Sequence, residues 1–175
     1  MPQGLGRVLI SREEIVARVG ELGRAVAREH AGRVPLLVGV LKGAVVFMAD
    51  LIRTIPVPIA MDFMGVSSYG AGARSSGSVR LTADLSVSIE GRAVVIVEDI
   101  VDSGWTLDYL RRNLETRHPR SLRICALLDK VERRQVDVSL DYVGFAIPDH
   151  FVLGYGFDLS GLYRGLPDIH ILEDT

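Results

Sequence analysis

Apolar residues in the first third of the chain recur with two different periods. Ile15, Val19, Leu22 and Val26 fall on one face at helical spacing, which predicts an amphipathic helix over 11–28. Ser11 and Glu14 form a capping-box pattern at its start, with Ile10 and Ile15 placed as the hydrophobic staple. The run VPLLVGVL (34–41) is short, continuously apolar and rich in Val, and so predicts a buried strand. GAVVFMADLIRTI (43–55) is apolar nearly all round, as a helix packed on a sheet is. VPIAMDFMGV (57–66) predicts a second strand, its start marked by Pro56 and Pro58. Together these make a β-α-β unit, so the sheet is expected to be at least partly parallel.

SSYGAGARSSGS (67–78) breaks the pattern with three glycines, five serines and almost no apolar anchor. It is either a plain hairpin connection or a lid over an active site, and composition alone does not separate the two. VRLTADL (79–85) then predicts an antiparallel excursion, and RAVVIVED (92–99) is the cleanest strand of the chain. Leu107, Leu110 and Leu114 mark a helix face. SLRICALL (121–128) and LDYVGFAI (140–147) predict further strands, and the tail from Phe151 is rich in glycine and aromatics without helical period. The expectation is one α/β domain over 1–175, with a mostly parallel sheet buried on both faces by helices.

Composition narrows the partners. The chain is 48% hydrophobic and 24% charged, with a formal net charge of −2 and no long run of one sign. Those figures argue against broad binding to nucleic acid or to an anionic membrane. The single cysteine, Cys125, lies in an apolar run where a buried, inert thiol is expected. His30, His118, His150 and His170 lack partners at metal-ligand spacing, so they are read as surface or loop residues. The N-terminus lacks the pattern of a signal peptide, and no apolar segment reaches the ~18 residues of a membrane span. A cytoplasmic location is expected.

One short stretch carries the chemistry. In VEDIVDSGWT (97–106), Glu98 and Asp99 end an apolar strand, and Asp102-Ser103-Gly104-Trp105-Thr106 bridges to a helix start. Ligands of open α/β sheets bind at the carboxyl ends of strands. The acids suit a hydroxylated sugar and a divalent cation, while successive backbone N–H groups with the Ser103 and Thr106 hydroxyls form an anion cradle. A ribose carrying a 5′-phosphate uses both. Taken alone, Ser103 is a simple N-cap. The stretch is not an EF-hand, since Ile100 and Val101 occupy ligand positions, and the chain contains no P-loop. An acidic pair followed by a strand-end lysine, Lys130, also resembles a phosphoacceptor receiver domain. That alternative leaves the Ser-Gly-Trp-Thr turn and the long loop unexplained.

VVIVEDIVDSGWTL (94–107) resembles the phosphoribosyl-pyrophosphate (PRPP) signature of the type I phosphoribosyltransferases. More narrowly, the chain resembles the bacterial hypoxanthine-guanine phosphoribosyltransferases. LKGAVVFMADL (41–51), DFMGVSSYG (62–70), LLDK (127–130) and FVLGYGFDLSGLYRGLP (151–167) occur in that family's order and spacing. The resemblance implies a mostly parallel twisted sheet, a small hood from the N-terminal residues and about 148–175, and a lid over about 67–78. It implies Mg²⁺-dependent transfer of ribose 5-phosphate from PRPP to N9 of a 6-oxopurine, by a homodimer or homotetramer.

Carried over residue by residue, the resemblance puts Glu98 and Asp99 beside the ribose hydroxyls and the metal. Asp102 through Thr106, that is Asp102, Ser103, Gly104, Trp105 and Thr106, would hold the 5′-phosphate, with Asp102 facing purine N7 as general base. Leu41, Lys42 and Gly43 would form a pyrophosphate loop with a cis peptide before the lysine, and Arg164 would also face pyrophosphate. Lys130 would donate to O6, Phe151 would stack on the base, and Val152 would meet its edge. Asp158 would be a ligand of Mg²⁺ and one of the purine-binding residues. Ser68 and Tyr69 would belong to the lid. Read without the family, Lys130 is a surface lysine in a charged loop, Phe151 is core, and Asp158 and Arg164 are solvated. A second reading keeps the fold and the PRPP pocket but binds RNA, as some type I relatives do. That needs a basic face, whereas Arg111, Arg112, Arg117, Arg120 and Arg123 are interspersed with acids.

Overall fold

Short aliphatic runs alternating with amphipathic helices can bury both only by layering the helices on a sheet. The computed structural model describes residues 5–68 and 79–173 and has that arrangement. The elements run β1 (Leu5–Ile10), α1 (Arg12–Glu29), β2 (Leu36–Leu41), α2 (Val45–Thr54), β3 (Ala60–Ser68) and β4 (Val79–Ala83). They continue through β5 (Ala93–Val101), α3 (Trp105–Glu115), β6 (Ser121–Asp129), β7 (Tyr142–Ala146), β8 (Val152–Leu153) and β9 (Ile169–Leu172), with one 3-10 turn at Val131–Arg133.

Six strands form the main sheet in the order β4-β3-β2-β5-β6-β7, all parallel except the edge strand β4. Alternation along its central strands sorts the core into two layers. Leu37, Val95, Val97, Cys125 and Leu127 face α1 and α2. Val38, Val40, Val94, Ile96, Ile124 and Ala126 face Leu107, Leu110 and Leu114 of α3. Burial pushes the Cys125 thiol up to about 12, so it stays protonated and unreactive. A second sheet, β1-β9-β8, joins the N-terminal segment to the C-terminal tail. Arg12 N–H reaches Asp168 Oδ1 at 2.7 Å, tying the start of α1 to that tail.

Helix α1 starts at the expected cap: Ser11 N–H donates to Glu14 Oε2 at 2.8 Å and Glu14 N–H to Ser11 Oγ at 3.3 Å. Other boundaries differ from the sequence reading. The strand β1 was not anticipated, because its hydrophobic residues show no clean alternation and it becomes legible only through its pairing with β9. Helix α2 begins at Val45, not Gly43, leaving residues 42–44 as a turn. Strand β3 begins at Ala60, two residues past Pro58, where its N–H reaches Pro35 O at 2.9 Å. Strand β5 runs on to Val101 because Ile100 and Val101 pair with Leu128 and Asp129. His30 is not a surface residue: it caps α1, is buried, and its Nδ1 lies 2.9 Å from Val26 O. Among the described residues, no helix is long and apolar enough to cross a membrane.

The α3 layer rests on three leucines, and Leu110 is fully buried. Leu110→Ala should cost about 2–5 kcal/mol, read as a lowered midpoint in urea unfolding followed by circular dichroism.

Candidate active site

The carboxyl ends of β2, β5 and β6 lie side by side, and the loops leaving them converge with the tail around Asp158 and Arg164. Two clefts of about 260 Å³ each open there. The first is lined by Leu41, Gly43, Glu98, Asp99, Thr106, Asp158 and Arg164. The second is lined by Asp99, Asp102, Lys130, Phe151, Val152, Asp158 and Arg164. Asp99, Asp158 and Arg164 belong to both. A third, smaller hollow of about 80 Å³ sits over Asp102, Ser103, Gly104 and Thr106. A larger cavity, about 450 Å³, lies elsewhere, between α1, α2 and the tail.

Missing side chains bring these loops together. A Cβ on Gly43 would fall 1.6 Å from Asp99 Oδ2, and one on Gly156 would fall 2.4 Å from Gly43 O. Any residue larger than glycine at position 43 displaces the Asp99 carboxylate. The peptide between Leu41 and Lys42 is cis. Helix α2 begins two residues past Gly43, so that glycine contributes close approach and not a helix terminus.

Glu98 and Asp99 are the most perturbed acids of the site. Glu98 is 6% exposed. Burial, and then the Asp99 charge beside it, raise the Glu98 carboxyl well above the ordinary carboxylate range. Burial also raises Asp99, partly offset by the Ile100 N–H on Oδ1 at 2.7 Å and by the Arg164 charge. Hard carboxylate oxygens of this kind suit Mg²⁺. No group of three metal-ligating side chains occurs among the described residues. Mg²⁺ needs no such cage, since it is held by one or two carboxylates with water and phosphate oxygens. The residues therefore fit the ion. Both oxygens of Asp158 are engaged, Oδ1 with Arg164 Nη2 at 2.6 Å and Oδ2 with Gly161 N–H at 2.6 Å.

Ser103 does not cap the following helix. The N-cap of α3 is Gly104, at φ +91°, a backbone conformation open to glycine and strained for other residues. Ser103 O accepts from the N–H groups of Gln135 (2.9 Å) and Val136 (3.2 Å), and Trp105 Nε1–H donates to Gln135 Oε1 at 3.1 Å. Asp102 Oδ1 accepts from Arg133 Nε at 3.1 Å. Arg133 also lies 3.5 Å from Asp149, which accepts from Lys130 Nζ at 3.2 Å.

Lys130 is only 7% exposed, because its backbone N–H is drawn in to Val101 O at 2.9 Å. The surface reading of Lys130 is thereby overturned. Phe151, by contrast, is not core: it is 52% exposed at the mouth of the second cleft, with Val152 buried beside it. Asp158 and Arg164, read alone as solvated, form an ion pair in the cleft wall. Lys42 follows the cis peptide and is not among the cleft-lining residues. Ser68 ends β3, and Tyr69 with the rest of the 69–78 stretch lies outside the described residues. Arg133, Arg134, Gln135 and Asp149 were missed by the sequence reading, since a run of mixed charges looks like a solvated loop.

Comparison with known proteins decides the family. The phosphoribosyl transferase domain family matches residues 10–159. The chain belongs to the phosphoribosyltransferases. Within them it is 51% identical over 178 residues to a hypoxanthine-guanine phosphoribosyltransferase of Mycobacterium avium, covering 98% of this chain and 88% of that one. It is 49% identical to the protein of that name from Bacillus subtilis, covering 99% and 96%. A crystal structure of a hypoxanthine phosphoribosyltransferase from Staphylococcus aureus superposes with a TM-score of 0.93 at 44% identity, covering 97% and 92%. Bifunctional TilS/HprT proteins of Listeria monocytogenes match at 49% identity, and the chain spans only 27% of their length. The phosphoribosyltransferase fold thus accounts for the sheet order.

The two acids predict a pH signature. A carboxyl raised in the folded state keeps a proton that the unfolded chain releases, so its contribution is present at low pH and lost as pH rises through the raised value. Glu98→Gln removes that loss. In ligand-free protein its thermal midpoint should exceed that of wild type at pH 8, with the gap closing toward the ordinary glutamate range near ~4.3. Differential scanning calorimetry across that range provides the check.

Proposed function

We propose that the chain is a purine-salvage enzyme that transfers the 5-phosphoribosyl group of PRPP to N9 of hypoxanthine or guanine, giving IMP or GMP and pyrophosphate. The observation that carries the reading is the pair of clefts sharing Asp99, Asp158 and Arg164, one acid-lined and one walled by Lys130 and Phe151. A sugar lying across the shared wall has its reacting carbon between the two.

The N9–C1′ bond forms as the C1′–oxygen bond to pyrophosphate breaks. Positive charge then develops on C1′ and O4′, and the carboxylates of Glu98 and Asp99 oppose it with negative potential. Asp102 takes the proton leaving N7, and its Oδ2 is the oxygen that Arg133 leaves free. The amides of Ser103 through Thr106 hold the 5′-phosphate, and Gly43 with Arg164 faces pyrophosphate. Mg²⁺, when bound, supplies charge neutralisation for the departing pyrophosphate; Glu98 and Asp99 would hold it, with Asp158 once exchanged from Arg164. Lys130 donates to O6, a position where an exocyclic amino group would face a donor and pay for it. Phe151 stacks on the base against Val152, and Ser68 and Tyr69 close the site against water.

The reading includes a cytoplasmic location, the compartment of phosphorylated nucleotide precursors. It also includes assembly as a homodimer or homotetramer, supported by the apolar groove around Ile15, Val16, Val19 and Val46. The RNA-binding alternative is disfavoured by ion pairing: Arg111, Arg112, Arg117 and Arg123 each meet a carboxylate.

Purified protein with PRPP, Mg²⁺ and each base should form nucleotide and pyrophosphate, followed by the absorbance change on ribosylation. Absence of product with hypoxanthine, guanine and xanthine alike would overturn the reading, and competition among the three ranks them. Asp102→Asn should lower kcat by about 10²-fold or more while PRPP binding largely survives. Unchanged turnover in that variant would remove Asp102 from its assigned role.

A further inference from the structure

We propose that Trp105 and Gln135 are positioning residues that set the direction of the phosphate-holding amides, an inference that rests on reading residues 102–106 as the 5′-phosphate turn. Gln135 touches the turn twice, on both sides of Gly104. Its backbone N–H donates to Ser103 O at 2.9 Å, and its side-chain Oε1 accepts from Trp105 Nε1–H at 3.1 Å. Val136 N–H adds a second donor to the same Ser103 carbonyl at 3.2 Å.

The consequence follows from peptide geometry. A planar trans peptide points its C=O and the next N–H in opposite directions. Fixing Ser103 O toward residues 135–136 therefore turns the Gly104 N–H away from them, to the side of the small hollow that Ser103, Gly104 and Thr106 line. The backbones pack without a spacer: a Cβ on Gly104 would lie 3.1 Å from Val136 O and 3.2 Å from Arg134 Cδ. The supporting loop is itself anchored, because Arg134 forms an ion pair with Asp129 at the end of β6. Lys130 N–H holds the start of the same loop to Val101 O at 2.9 Å.

Burial does not explain the tryptophan. Trp105 is 38% exposed and belongs to neither core layer. Its one polar atom is spent on Gln135, a residue with no other side-chain partner among the described residues. The bond closes a bracket around Gly104, the residue whose backbone is freest to swing. Without it, Trp105 and the first turn of α3 stay folded, but residues 103–105 lose one of their three hydrogen bonds to the loop after β6.

The test combines steady-state kinetics with a binding measurement that does not depend on turnover. Trp105→Phe keeps the ring and removes the N–H; Gln135→Leu removes the acceptor; Gln135→Glu keeps an acceptor oxygen. Each of the first two should raise KM for PRPP about three- to tenfold, the loss of one ordinary hydrogen bond, with kcat and the purine KM within about twofold. The double variant should be no worse than the worse single one, and Gln135→Glu should return KM for PRPP to near the wild-type value. Trp105 is the only tryptophan of the chain, so its emission reports ribose 5-phosphate binding in wild type and in the Gln135 variants. Weaker binding of ribose 5-phosphate to Gln135→Leu supports the inference even if no purine is ribosylated. Effects that multiply in the double variant, or a Gln135→Leu protein that binds ribose 5-phosphate like wild type, overturn it.

Discussion

Glu98 is buried and Asp99 half-buried at the end of the strand that carries them, and burial works against the charge on each. The middle of β5 makes that burial unavoidable, since Val94 to Val97 fill both layers of the core and leave the acids at the rim. Gly43 then closes on Asp99, and Gly156 on Gly43, where side chains would not fit. The tail supplies Arg164, whose charge lowers the Asp99 carboxyl and whose side chain pairs with Asp158. A fold that accepts such an electrostatic cost at one rim needs a ligand that repays it, and a sugar with a hydrated cation is chemically suited to do so.

The loop after β6 plays a separate part. One short segment carries Lys130 at the second cleft, Arg133 against Asp102, and Gln135 against the turn below Trp105. On the proposed reading, base recognition and phosphate holding share one support, and that support is pinned to β6 through Asp129.

Much of this was legible from residue patterns. The continuous apolar runs of β2, β5 and β6 and the leucine spacing of α3 identify buried strands and a helix face without any structure, because a strand covered on both faces must be apolar throughout. The acids and the small-residue turn were legible for the same reason in reverse, as polar groups placed where a core strand ends. The fate of single residues in loops was less so. Lys130 and Phe151 exchanged their expected environments, one drawn inward by a backbone hydrogen bond and one left at a cleft mouth. Neither outcome has a local periodicity to announce it. Trp105 and Gln135 lie thirty residues apart, and nothing in either neighbourhood signals that they meet.

Lys130 and Asp102, both in the wall of the second cleft, are linked through Asp149 and Arg133, and the four groups alternate in sign. Two positive and two negative groups leave that row without net charge. A neutral heterocycle with an acceptor and a donor on neighbouring atoms can bind beside such a row without gathering or shedding counterions. For the proposed substrates, ionic strength should then govern capture of the phosphorylated one while leaving capture of the base nearly untouched. The two halves of the site would answer to different features of the solvent.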